Sequence, residues 1–150
     1  MVDWSLIPFR EVYRQAKPAV SFELFPPKTD EGRASLFAHL PELASCRPAY
    51  ITCTYGAGGS TRDKTLAIVE QVKARFGCAV ASHLTCVGHS AEEIGRILDQ
   101  VWESGVRNVL ALRGDPPQGQ AWFTPPPGGF AHACDLVSAA RNRHDFCVGV

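Results

Sequence analysis

Two carboxylates, a histidine and an arginine stand at positions where a purely structural chain has little use for them. Glu23 sits in the apolar run Ala19-Val-Ser-Phe-Glu-Leu-Phe25, which Pro26-Pro27 closes. A carboxylate inside such a strand is costly unless it is paired or put to use. His83 and Thr85 interrupt a second apolar run, Thr52, Thr54 and Tyr55 end a third, and Arg113-Gly-Asp115 follows a fourth. Carboxyl and imidazole groups move protons. Each residue also has a plain structural alternative. Glu23 could be ion-paired with Arg113 or Lys28, His83 could be a satisfied core residue, and Arg113 and Asp115 could bridge across Gly114. The loop Tyr55-Gly-Ala-Gly-Gly-Ser60 could cradle a phosphate, but it lacks the lysine and spacing of a P-loop. An unrelated barrel enzyme acting on a phosphorylated substrate is one reading that loop leaves open.

The elements that must position these groups follow from periodicity and from stop signals. Ile7 to Ala16 reads as a short helix with Pro8 in its first turn. The strand Ala19 to Phe25 is expected to bury Val20, Phe22 and Leu24. Thr29 and Asp30 open a helix to about Ala44, with Leu36, Phe37, Leu40 and Leu43 on its apolar face. Ala49 to Thr54 is a strand. Asp63 to Phe76 is a helix facing inward through Leu66, Val69, Val72 and Phe76, with Gly77 as its C-cap. Ala79 to Thr85 is a strand. Ser90-Ala-Glu-Glu93 is a capping box that opens a helix ending at Gly105. Asn108 to Leu112 is a strand, Gly114 to Gly129 a Pro/Gly loop, Phe130 to Arg143 a helix, and Phe146 to Val150 begins a fifth strand.

Short apolar strands alternating with amphipathic helices predict an α/β chain whose parallel sheet is covered by helices. In such a sheet every strand's carboxyl end lies on one edge, where barrels and open α/β sheets bind ligands. Four of four complete strands place polar or ionisable residues at or near that edge, which a purely structural sheet has no reason to do.

Composition excludes several classes of function. The chain has 150 residues, 45% hydrophobic and 20% charged, with zero formal net charge. No basic stripe suggests nucleic acid. No run approaches the roughly 18 to 20 apolar residues of a membrane span. Met1-Val-Asp-Trp-Ser has neither the basic nor the apolar region of a secretory signal, so a cytoplasmic location is expected. The six cysteines form no C-x-x-C pair and read as reduced, buried thiols. Cys86 and His89 have ligand spacing, but two ligands make no metal site.

Four segments together resemble the methylenetetrahydrofolate reductases, flavin enzymes of one-carbon metabolism. They are Ser21-Phe-Glu-Leu-Phe-Pro-Pro-Lys28, Thr54-Tyr-Gly-Ala-Gly-Gly-Ser-Thr-Arg-Asp-Lys-Thr65, His83-Leu-Thr-Cys86 and Leu112-Arg-Gly-Asp-Pro-Pro117. They occur in family order, and the similarity covers nearly the whole chain. The resemblance implies a (β/α)8 barrel that holds FAD at the carboxyl ends of its strands. It implies reduction of 5,10-methylenetetrahydrofolate to 5-methyltetrahydrofolate by NADH or NADPH, in the supply of methionine. Glu23 matches the family's general acid, kept protonated by an apolar strand and a second carboxylate nearby. Asp115 matches a residue beside the flavin that also contacts the pterin, so the two carboxylates are expected to meet across the bound flavin. Thr54 matches a nicotinamide contact. Tyr55, Ala57, His83, Arg113, Gly114, Asp115 and Ala133 match flavin contacts. His132 stands where an aromatic residue is common.

A whole barrel needs about 250 residues, and four and a half βα units are present. The chain is therefore expected to be the amino-terminal portion of such a barrel, an incomplete single domain with two strand edges unpaired. Two readings follow: part of a reductase, which leaves a homo-oligomer open for the complete protein, or a truncated, non-catalytic fragment with weak or no flavin binding.

Overall fold

The computed structural model describes residues 6–14, 18–55, 62–116 and 119–150. Its elements run α1 (Phe9–Tyr13), β1 (Ser21–Leu24), α2 (Asp30–Ser45), β2 (Tyr50–Cys53), α3 (Arg62–Phe76), β3 (Ala79–Thr85), α4 (Ala91–Glu103), β4 (Asn108–Leu112), α5 (Ala133–Arg143) and β5 (Cys147–Gly149). The strands form one sheet in the order β1-β2-β3-β4-β5, with every neighbouring pair parallel. This is the βα arrangement of a partial (β/α) barrel. Sequential order with one helix between each pair follows from the right-handed crossover, which returns each helix to the same side of the sheet.

Side chains alternate between two faces of each strand. One face carries Leu24, Ile51, Cys53, Val80, Leu84, Val109 and Ala111. These form a single core with Leu40 of α2, Ile68 and Val72 of α3, Ile94 and Leu98 of α4 and Leu136 of α5. Each fully buried Leu or Ile contributes about 1.5–3 kcal/mol, so this outer layer holds the fold. The inner face carries Ser21, Glu23, Tyr50, Thr52, His83, Leu110 and Gly149, drawn from all five strands around one cavity.

Local signals explain the helix starts. The Thr29 hydroxyl accepts the Gly32 N–H at 3.1 Å. Ser90 and Glu93 close a reciprocal capping box: the Ser90 N–H donates to Glu93 Oε2 at 2.8 Å and the Glu93 N–H donates to Ser90 Oγ at 3.3 Å. Those bonds from Ser90 hold the Glu93 carboxyl below its ordinary range. α2 continues through Pro41 at the loss of one backbone bond.

Several expected boundaries and faces differ. α1 starts after Pro8, whose extended ψ of 145° makes it the N-cap rather than a first-turn residue. α5 starts at Ala133, not Phe130, because the preceding chain is held extended. Gly129 bridges Ser90, and the Cys86 thiol donates to the His132 carbonyl at 3.5 Å. β1 is the shorter Ser21–Leu24, and it is not a buried strand throughout: Val20 is exposed, Phe22 half-buried and only Leu24 enclosed. It has a strand neighbour on one side only among the described residues. On α2 only Leu40 is fully buried. The buried stripe of α3 is Thr65, Ile68, Val69 and Val72, so Leu66 and Phe76 lie at its margins.

α1 lies across the amino ends of the strands. Its Phe9 ring packs on Tyr50, the first residue of β2, with centroids 4.4 Å apart. Its backbone is tied to Asn108, the first residue of β4. Residues Phe9, Arg10 and Tyr13 of α1 also line the cavity of the inner face.

Candidate active site

The inner face brings Glu23 and His83 together. Glu23 is level with Thr52, Thr52 with Ala81, and Ala81 with Asn108 in the ladder. His83 lies one inward position beyond Ala81. Thr52 and Ala81 are small, so the Glu23 carboxylate spans β2 and ends with Oε2 3.6 Å from His83 Nε2. The His83 ring is buried, and Nε2 has no hydrogen-bond partner among the described residues. Burial pushes the His83 imidazole below its ordinary value, with the Glu23 charge pulling the other way. The two side chains line a cavity of about 480 Å³ together with Thr52 and Leu110.

Glu23 itself is not enclosed. Its side chain is 49% exposed, and no other Asp or Glu side chain lines that cavity among the described residues. Among the described residues, Glu23 has neither the apolar enclosure expected from sequence nor a second carboxylate in the cavity it lines. Nor is Glu23 ion-paired with Arg113 or Lys28.

The carboxyl edge gathers a second set of groups. Thr54 follows β2; its N–H donates to the Leu24 carbonyl at 2.8 Å, and its carbonyl accepts the Thr65 hydroxyl at 2.9 Å. Tyr55 comes next, its hydroxyl 2.9 Å from His89 Nε2. Gly114 follows β4 with φ +85°, and a Cβ there would lie 2.6 Å from a Val87 methyl. Only glycine allows this tight path. Arg113 Nε donates to the Gly114 carbonyl at 3.3 Å, with its guanidinium 5.7 Å from the Phe123 ring centroid. Asp115 is exposed, with no bond to Arg113. Ala133, half-buried, opens α5, where the Asp135 carboxylate accepts the His132 N–H at 3.0 Å. Asp115 stands on this edge and does not line the cavity that Glu23 and His83 share. Ala57 and most of its glycine loop lie outside the described residues.

The thiols divide by burial. Cys53 and Cys86 are enclosed, whereas Cys46 and Cys134 are exposed, contrary to the uniform burial expected. Burial pushes the Cys53 thiol up to about 12 and the Cys86 thiol up to about 11, with nearby negative groups adding to both. Cys86 donates to the carbonyls of Leu112 and His132, while His89 faces Tyr55.

Three supporting residues are missed by sequence reasoning. Asn108 and Thr65 are fully buried polar residues within apolar patterns, and His89 is a buried histidine in a loop. A polar residue where the period demands an apolar one is the available signal, since its burial requires a partner.

The glycine cradle at Gly114, where a side chain would collide with Val87, suits a planar cofactor lying against the carboxyl edge. The family model described as methylenetetrahydrofolate reductase matches residues 8–150. A "Methylenetetrahydrofolate reductase (NADH) 1" of Arabidopsis thaliana is 42% identical over 141 residues, covering 94% of this chain and 24% of that protein. A "5,10-methylenetetrahydrofolate reductase" of Escherichia coli is 37% identical over 136 residues, covering 91% of this chain and 44% of that protein. A "Methylenetetrahydrofolate reductase 1" of Schizosaccharomyces pombe is 39% identical over 137 residues, covering 89% of this chain and 23% of that protein. The chain thus spans less than half the length of these relatives. With a family match running from the first helix to the last strand, the chain belongs to the methylenetetrahydrofolate reductase family.

Proposed function

We propose that these residues are the amino-terminal portion of the catalytic barrel of a FAD-dependent reductase. It converts 5,10-methylenetetrahydrofolate to 5-methyltetrahydrofolate with NADH or NADPH as reductant. The observation that carries this reading is Glu23, a carboxyl group opening into a shared cavity beside the buried, unpartnered Nε2 of His83.

The chemistry explains the arrangement. The five-membered ring of the substrate must open before it accepts hydride, and opening requires a proton on the departing nitrogen. Glu23 donates that proton. Bound FAD would supply the hydride chemistry between the nicotinamide and the folate. Tyr55, Ala57, His83, Arg113, Gly114, Asp115 and Ala133 would hold it, and Thr54 would contact the nicotinamide. Asp115 supplies negative charge on the carboxyl edge and orients the pterin ring. The close backbone path at Gly114 leaves room for a planar ring system where a side chain would stand.

The test is a separation of half-reactions in the full-length protein. The purified protein should show flavin absorbance that NADH or NADPH bleaches and methylenetetrahydrofolate restores. Glu23→Gln should abolish the second step while the first continues. A colourless protein that FAD cannot reconstitute sinks the proposal, and so does folate reduction that survives Glu23→Gln unchanged. The second reading, a non-catalytic fragment, applies to the 150 residues alone: β1 and β5 each have one strand neighbour among the described residues. The isolated chain would then take up FAD weakly or not at all.

A further inference from the structure

We propose that His83 is the positioning residue for Glu23: its Nε2 accepts the carboxyl O–H of Glu23 and holds that group in its proton-donating form, aimed into the cavity. This rests on the reading of Glu23 as the proton donor.

Three observations point here. Nε2 of His83 is a buried side-chain nitrogen without a hydrogen-bond partner among the described residues. Such an atom is rare in folded proteins, because leaving it unbonded costs about 1–3 kcal/mol. The polar atom that faces it is Glu23 Oε2, at 3.6 Å. A small rotation of the exposed Glu23 side chain closes that gap to a hydrogen bond, whereas the buried ring has nowhere to go. The two residues also share the inner face with small neighbours, Thr52 and Ala81, so nothing bulky stands between them.

The direction of the hydrogen bond follows from burial. An imidazolium in this position is disfavoured, so the ring is neutral near neutral pH. A neutral ring with its proton on Nδ1 offers Nε2 as an acceptor only, and an acceptor stabilises the protonated carboxyl over the carboxylate. When Glu23 gives its proton to the departing nitrogen, the O–H breaks, an N–H forms on the substrate, and Nε2 loses its donor. Solvent reaching the exposed carboxylate returns the proton. The other titratable groups lining the cavity are Arg10 and Tyr13 of α1, Tyr50 of β2 and Cys147 of β5. Tyr13 and Tyr50 bond to each other through their hydroxyls, and that bond, with burial adding to it, pushes the Tyr13 phenol up. Arg10 lies 3.7 Å from Glu11.

The experiment combines histidine ¹⁵N NMR with pH profiles of the full-length protein. The ¹⁵N shifts should place the neutral proton of His83 on Nδ1. Its titration midpoint should move in Glu23→Gln, because an amide replaces the carboxyl hydroxyl that bonds to Nε2. In His83→Leu the alkaline limb of the folate half-reaction should move about one pH unit lower, a roughly tenfold loss on that limb. His83→Gln, which keeps an acceptor at similar reach, should restore part of the shift. A proton on Nε2, or a midpoint unchanged by Glu23→Gln, overturns the pairing. An unmoved alkaline limb in an active His83→Leu protein overturns the positioning role alone. A wild-type protein that reduces no folate overturns the functional reading, and the positioning role with it, while the NMR arm reports separately whether the two side chains interact.

Discussion

The backbone N–H of Phe9 donates to the side-chain oxygen of Asn108 at 2.9 Å, across 99 positions of sequence. The same amide donates through Nδ2 to the carbonyls of Ile7 at 3.0 Å and Val80 at 3.1 Å. One buried side chain thus fastens α1 to the amino ends of β3 and β4. Asn108→Leu strands a donor and two acceptors together. The expected cost is on the order of 3 kcal/mol, read as a lower urea midpoint. Phe9 should also become more accessible, detected as faster amide exchange at residues 9 to 13. A variant as stable as wild type would show that α1 is held by its aromatic contacts alone.

Gly114→Ala tests the carboxyl edge. The φ of +85° is strained for any residue with a side chain, and the added methyl would press on Val87 and Thr85, both buried. A loss of about 2–3 kcal/mol is expected from strain and overpacking together. In the full-length protein flavin affinity should fall by more than the stability loss explains, because Arg113 and Asp115 would be displaced. Unchanged flavin affinity in a destabilised variant would separate Gly114 from the cofactor.

Stability should weaken on mild acidification. His83 is held below its ordinary value of 6.5 by burial, so below that pH the unfolded chain binds a proton that the folded chain resists. The full contribution is present above about pH 6.5 and declines as pH falls toward the folded value. Urea midpoints measured near pH 7.5 and near pH 5 should differ less in His83→Leu than in wild type. Equal differences would mean that His83 takes up its proton equally in the folded and unfolded states.

Thiol reactivity should follow enclosure. Cys46 and Cys134 are exposed and should label rapidly at neutral pH. Cys53 and Cys86, pushed to about 12 and about 11 chiefly by burial, should label only with unfolding, since the thiolate is the reacting species. Fast labelling of Cys53 by mass spectrometry would mean that β2 opens locally.

Much of this protein is legible from residue order, because the deciding interactions are local. Thr29 and Ser90 cap their own helices through neighbours three residues away. Proline after Phe25 ends β1, and Gly114 makes its turn from its own φ. Alternation of apolar strands with helical stripes implies the parallel sheet, and a parallel sheet gathers Thr54, Tyr55 and the Arg113–Asp115 turn on one edge. Sequence could not reveal which polar residues meet. Asn108 and Thr65 read as interruptions of apolar patterns until the fold supplies Phe9 and Thr54 as their partners. The chain between β1 and β3 says nothing of the distance from Glu23 to His83. That distance depends on strand register, on which face each side chain takes, and on the small size of Thr52 and Ala81 between them. Contacts within a turn of helix are written in neighbouring residues, whereas contacts across a sheet exist only once the strands have closed the loops between them.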